Sequence, residues 1–195
     1  MPQPIETQLS PEEYLAIERQ AEERSEYYRG EMFLLAGASR QHNRIATNLT
    51  SLLDRQLAGR DCDVYASDLR VLVDRTGLYT YPDLVVTCGP ERFADEHRDV
   101  LLNPLLIIEI LSASTEAHDR GRKFEHYQQI ESLTEYLLVA QDSMRVEQYR
   151  KQESEWLYRE VRGGERVVEL PVIDGKLPMS EIYRRAEPGA SRRLR

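Results

Sequence analysis

Glu109 stands inside Leu105-Leu106-Ile107-Ile108-Glu109-Ile110-Leu111, a run that is otherwise entirely aliphatic and is led by Pro104. Such a run reads as a strand covered on both faces, so this carboxylate should lie out of water. Unpaired, it would be expensive to ionise and would stay protonated unless a cation, a metal or strong donors met it. A second acid occurs in Tyr81-Pro82-Asp83-Leu84-Val85-Val86-Thr87. Here proline opens a strand-like segment, a place where its missing N–H removes no ladder bond. If the two segments are neighbours in one sheet, Asp83 and Glu109 could converge near its edge, although the sequence leaves their register open.

Two converging carboxylates repel, and the usual solutions are a shared proton or a divalent cation between them. The cation suits this chain better. Mg²⁺, for which Mn²⁺ could substitute, takes oxygen ligands, typically one or two carboxylates together with waters and phosphate oxygens. Bound there, it can polarise a phosphodiester and activate water. Lys123 supplies a third element, on a segment that follows Ser112-Ala113-Ser114-Thr115 and reads as a helix to about Ile130 with Ser114 as N-cap. Asp119, Lys123 and Tyr127 recur at four-residue spacing and share one side of that helix. The ammonium could stabilise developing negative charge or orient the attacking water. Plainer readings stand beside these. Asp119 and Lys123 could be a surface ion pair, Glu109 could pair with a buried arginine, and Asp83 could be a turn residue.

The pattern resembles the PD-(D/E)XK nuclease superfamily, and within it the Uma-two family of putative restriction endonucleases. The residues that carry the resemblance are Gly30-Glu31, His42, Tyr81-Pro82-Asp83, Glu109-Ile110-Leu111-Ser112, Ser114-Thr115, Asp119, Lys123, Tyr127 and Glu135-Tyr136-Leu137-Leu138-Val139, from the Ser10-Pro11-Glu12-Glu13-Tyr14 opening to about Arg150. The resemblance implies an α/β restriction-endonuclease-like fold with a central mixed sheet, and Mg²⁺-dependent hydrolysis of phosphodiester bonds in DNA. It also implies Asp83 and Glu109 as metal ligands, with the Ile110 carbonyl as a further metal oxygen. One departure is plain. The superfamily lysine stands two residues after the acid, where this chain has Leu111, so Lys123 would have to serve from the following helix. A noncatalytic module of the same fold, binding a protein or nucleic acid, is the alternative reading. Glu31, which reads as a solvent-facing turn acid, is drawn toward the site by the resemblance alone. His42, at a helix start, reads as a capping or packing residue or as a cleft residue.

The 195 residues, 41% of them hydrophobic, suit one domain over residues 1–186, with 187–195 reading as a disordered basic tail. A net charge of -8 argues against strong nonspecific binding of nucleic acid, unless a basic rim and bound cations offset it locally. Cys62 and Cys88, far apart and without a C-x-x-C pattern, suggest neither a zinc site nor a disulfide, and a reducing cytoplasm is the expected compartment. No membrane span or secretory leader is expected. Gly-x-Ser-x-Gly, Walker and dinucleotide-binding motifs are all missing from the chain, which disfavours acyl transfer, P-loop chemistry and hydride transfer.

The elements that must position these residues follow from local signals. Ser10, Pro11 and Glu13 form a capping-box start for a helix to about Glu23. A hairpin is expected around Gly30-Glu31, then a helix from about Ser39 to Leu57, strands near Val64–Val73 and Tyr79–Thr87, and a polar loop from Gly89 to Asn103 that reads as a solvated connection or a cover for the cleft. Helices therefore flank a sheet. Strands near Tyr136–Ala140, Arg145–Arg150, Glu155–Val161 and Arg166–Leu170 follow as an antiparallel C-terminal extension that could close the sheet or pair two copies as a homodimer.

Overall fold

The computed structural model describes residues 8–188. The expected capping box opens helix α1 (Pro11–Glu18): the Glu13 N–H donates to Ser10 Oγ, and the Glu13 carboxylate accepts from the Ser10 N–H at 2.8 Å. The helix stops five residues short of the expected Glu23. Glu18 instead accepts from the Ser25 N–H and the Tyr81 hydroxyl, both at 2.8 Å, which anchors the chain as it turns into strand β1 (Ser25–Tyr28). A turn at Arg29-Gly30, both with positive φ, leads to β2 (Glu31–Leu34). Ser39 caps α2 (Arg40–Leu57), whose Ile45, Leu49, Leu53 and Leu57 form an inward stripe.

Two segments expected to be continuous strands are each divided between two sheets. The first yields β3 (Cys62–Ala66) and β4 (Arg70–Val73); the second yields β5 (Leu78–Thr80) and β6 (Leu84–Cys88). The chain crosses between sheets at Ser67–Leu69 and again at Tyr81-Pro82-Asp83, and the Ser67 N–H donates to the Asp83 carbonyl at 2.9 Å to tie the crossings together. Proline suits this break because it cannot extend a ladder of hydrogen bonds. The connection from Gly89 to Asn103 is not a purely solvated loop. It contains β7 (Val100–Leu101), which pairs with β4, and its Asp99 accepts from Arg19 and Arg70.

After β8 (Leu106–Leu111) comes a helical run over 116–127: α3 (Glu116–His118), a π-helical turn (Asp119–Lys123) and α4 (Phe124–Tyr127). Its N-cap is Thr115 rather than Ser114, because the Ser112 and Thr115 side chains close the preceding turn on each other's backbone N–H. The run also ends three residues before the expected Ile130. Strands β9 (Glu135–Ala140), β10 (Arg145–Gln152) and β11 (Glu155–Arg162) follow, then β12 (Val167–Leu170), β13 (Gly175–Pro178) and α5 (Met179–Ile182).

The central sheet has the order β11-β10-β9-β8-β6-β3, with β8 and β9 parallel and the other neighbours antiparallel. It is mixed, carries the expected antiparallel C-terminal strands, and has helices on both faces. A second sheet, β2-β1-β5-β4-β7, lies beside it, and β12 pairs with β13 in a two-stranded sheet. Every residue of β8 is buried. Leu106, Ile108 and Ile110 pack with α2, whereas Ile107 and Leu111 pack with Phe124, Tyr127 and Tyr136. Glu109 shares the second face by the two-residue period of a strand.

Cys62 and Cys88 face each other across β3 and β6, Cα atoms 4.0 Å apart, and are disulfide-bonded. This corrects the sequence reading of two unrelated cysteines. Their separation of 26 residues gives no hint of the antiparallel register that makes them direct neighbours. Among the described residues no helix is long and apolar enough to cross a membrane. Of the tail expected over 187–195, residues 189–195 lie outside the described residues; the Glu187 carbonyl accepts from Gln41.

Candidate active site

Register brings the two expected acids together. Leu84 of β6 pairs with Ile108 of β8 in antiparallel sense, so one residue further on Asp83 lies opposite Glu109. The Asp83 N–H makes a long contact of 3.4 Å with Glu109 Oε2. Asp83 Oδ2 accepts from the Ile110 N–H at 2.7 Å and lies 3.0 Å from His42 Nε2. Ile110 thus enters the site through its backbone while its side chain fills the core beneath α2.

Glu109 is 3% exposed. Its Oε1 accepts from the Tyr127 hydroxyl at 2.8 Å and lies 2.9 Å from Lys123 Nζ. Burial pushes the Glu109 carboxyl up to about 8 against the opposing pull of Lys123, and the charges of Asp83 and Asp119 add to the rise. Burial acts to lower the Lys123 pKa, but Glu109 and Glu26 more than reverse this and raise it well above the ordinary lysine value. The ammonium is therefore a fixed positive charge beside a carboxylate that burial makes reluctant to ionise.

The helical run brings Lys123 here through its π-helical turn. A turn of this kind widens the helix by one residue and recurs at functional positions. Both of its end residues, Asp119 and Lys123, face inward and are buried. Burial raises the Asp119 carboxyl, with partial relief from Lys123 and from a hydrogen bond with Thr115. Tyr136 holds the same turn by donating to the Asp119 carbonyl at 3.1 Å. Among the described residues, neither the surface ion pair nor the buried arginine considered for these residues forms. Lys123 is the buried partner of Glu109.

His42 joins the site rather than acting only as a helix-start residue. Its own N–H donates to the capping Ser39 Oγ, its Nε2 meets Asp83, and its Nδ1 has no partner among the described residues. Glu31 does not join these contacts: it is exposed at the start of β2, paired across the hairpin with Tyr28. The hairpin acid that does reach the site is Glu26, which sequence reasoning missed. It is buried on β1, with Oε1 3.0 Å from Lys123 Nζ and accepting from the Thr80 hydroxyl. Its only local signal is an acid among the tyrosines of Ser25-Glu26-Tyr27-Tyr28, and an acid in a short strand ordinarily faces water.

Asp83, Glu109 and Lys123 thus form a cluster of two acids and an ammonium, brought together by the crossing before β6, strand β8 and the π-helical turn, with Tyr127, His42, Asp119 and Glu26 around it. Such a set can hold a hard cation or stabilise an anionic transition state.

Comparison with known proteins shows the family and the fold. The family model Uma2, described as "Putative restriction endonuclease", matches residues 11–179. Two uncharacterized proteins of Synechocystis sp. (strain ATCC 27184 / PCC 6803 / Kazusa) are similar over most of their length. The protein sll1609 is 39% identical over 163 residues, covering 83% of this chain and 92% of the relative. The protein slr1290 is 37% identical over 177 residues, covering 90% and 92%. The fold is similar to that of a crystal structure from Anabaena variabilis ATCC 29413 described as a "putative nuclease belonging to DUF820". The TM-score is 0.76 at 19% identity, covering 91% of this chain and 99% of that one.

Proposed function

The chain belongs to the Uma2 family, described as "Putative restriction endonuclease", and on that footing we propose that it is a Mg²⁺-dependent endonuclease hydrolysing phosphodiester bonds in DNA. The observation that carries the reading is the 2.9 Å approach of Lys123 Nζ to Glu109 Oε1. It supports Lys123 as the replacement for the lysine that Leu111 displaces from the strand, and it weakens the chief reason for reading the chain as a noncatalytic module.

The donor set fits a hard divalent cation. Inward contacts engage Oδ2 of Asp83 and Oε1 of Glu109. Among the described residues they leave Oδ1 of Asp83 and, apart from one long contact, Oε2 of Glu109 to face a ligand. Two carboxylate oxygens and a backbone carbonyl, that of Ile110, without a histidine or cysteine cage, match Mg²⁺ or Mn²⁺ better than Zn²⁺. When bound, such an ion supplies Lewis-acid polarisation of the phosphodiester and a lowered pKa for the attacking water.

The protein's own residues then have distinct tasks. Asp83, held by the Ile110 N–H and His42, presents its free oxygen in one orientation. Tyr127 holds the Glu109 carboxylate from behind. Lys123 places a permanent positive charge where negative charge develops on the phosphoryl oxygens. The acidic balance of the chain predicts weak, salt-sensitive capture of DNA, so the binding term would rest on local basic groups.

The direct test is Mg²⁺-dependent nicking of supercoiled plasmid by the wild type and by Asp83→Ala. The expected result is cleavage by the wild type and loss of at least a hundredfold in the variant, with unchanged melting. Equal cleavage by both proteins would refute the assignment.

A further inference from the structure

We propose that Glu26 is a positioning residue that holds Lys123 against Glu109; the inference rests on the hydrolytic reading of the site. Lys123 Nζ lies 3.0 Å from Glu26 Oε1 and 2.9 Å from Glu109 Oε1, and all three side chains are buried. A lysine carries three donors on a flexible four-carbon stem, so one carboxylate would fix neither its position nor its direction. Two carboxylates on either side do both, and one N–H remains.

Glu26 is itself held. Its Oε1 accepts from the Thr80 hydroxyl and, at 3.5 Å, faces the Tyr81 N–H. Thr80 and Tyr81 immediately precede Pro82-Asp83, so the segment that delivers Asp83 also fixes the anchor of the lysine. The second sheet thereby acquires a role in the site: β1 and β5 set Glu26, and Glu26 sets Lys123. With Glu26 present, the ammonium is held from two separate elements, β1 and β8.

Composition points the same way. Of the 26 basic residues only Lys123, Lys151 and Lys176 are lysines, the rest being arginine. A chain that otherwise prefers arginine places a compact ammonium at this buried point between two carboxylates, a position unlike those suited to the planar fork of arginine.

Having three lysines makes the test clean. Purified full-length wild type, Glu26→Gln and Thr80→Val would be treated with acetic anhydride at a fixed pH, and acetylation at each lysine followed by mass spectrometry. The kcat and KM for Mg²⁺-dependent plasmid cleavage would be measured in parallel. In wild type Lys123 should react slowest. Glu26→Gln should raise its rate at least tenfold with Lys151 and Lys176 unchanged within twofold, and should lower kcat at least tenfold with KM within threefold. Thr80→Val should move both in the same direction by less, and Glu26→Asp should recover part of the kcat. A Lys123 rate and a kcat within twofold of wild type in Glu26→Gln would overturn the proposal. Faster labelling of all three lysines would signal unfolding of that variant, and unchanged Lys123 labelling in a folded Thr80→Val would then overturn it. If the wild type cleaves no DNA, the hydrolytic reading falls by itself, and the labelling still decides whether Glu26 holds Lys123.

Discussion

Lys123 reaches Glu109 from the helical run that follows its strand, with Nζ 2.9 Å from Oε1, while Leu111 packs two residues beyond Glu109 into the apolar layer formed with Phe124 and Tyr136. The charge beside the acid comes from a different element, and the position two residues on is part of the core. Lys123→Met should therefore reduce plasmid cleavage about a hundredfold or more, the scale of losing a preorganised charge. It should also destabilise the fold by roughly 3 kcal/mol, because two buried carboxylates lose their partner. Adding Glu26→Gln to Lys123→Met should return part of that stability and none of the rate, as read by urea unfolding and plasmid nicking.

The two-carboxylate site makes a substrate-independent prediction. Titration calorimetry should detect saturable Mn²⁺ binding by the wild type, lost in both Asp83→Asn and Glu109→Gln. Tyr127→Phe, which removes only the hydroxyl donor to Glu109 Oε1, should weaken binding by a few-fold, about 1 kcal/mol for one hydrogen bond. Retained binding in Asp83→Asn would exclude Asp83 as a ligand.

A second buried acid lies away from the site. Glu135, at the start of β9, is fully buried; its Oε1 accepts from Gln148 Nε2 at 2.6 Å, and its Oε2 has no partner among the described residues. Burial raises its pKa to about 7. The folded state thus binds this proton more tightly than the unfolded chain, so the contribution is complete below about 4.5 and is lost as pH rises through about 7. Glu135→Gln cannot ionise, and should gain on the wild type by roughly 2 kcal/mol between pH 5 and pH 8. Denaturant unfolding at the two pH values measures the gain, and an equal difference at both would remove Glu135 as its source.

The Cys62–Cys88 bond joins directly opposed residues of β3 and β6 and closes a loop across 26 positions. Thiol titration of unfolded, unreduced protein should find no free thiol. The double variant Cys62→Ser, Cys88→Ser should lose about 3 kcal/mol of stability, the scale expected for a loop of this length. Reduction of the wild type should produce a similar loss, and equal unfolding midpoints with and without reductant would argue against the bond.

Much of this was legible in the chain because it depends on near neighbours. The capping box at Ser10 and Glu13, the inward stripe of α2 and the apolar run around Glu109 are short-range patterns, and each forms the expected element. Tyr81-Pro82-Asp83 was legible as a break carrying an acid, but not as a crossing from one sheet to another, because local extension is the same in either sheet. The π-helical turn was hidden for a related reason: Asp119, Lys123 and Tyr127 keep the spacing of an ordinary helix.

By itself the sequence determined which residues were out of place in their surroundings, an acid in an aliphatic strand and a second acid beside a strand-opening proline, and hence the chemistry to expect. Only the tertiary structure decided which partners meet them. Antiparallel register places Asp83 opposite Glu109 and Cys62 against Cys88, and docking of a separate hairpin brings Glu26 to Lys123 from 97 positions away. The physical reason is one of range. Periodicity, proline and caps act over a few residues, whereas register and docking are set by long-range burial and hydrogen bonding, which local patterns do not encode.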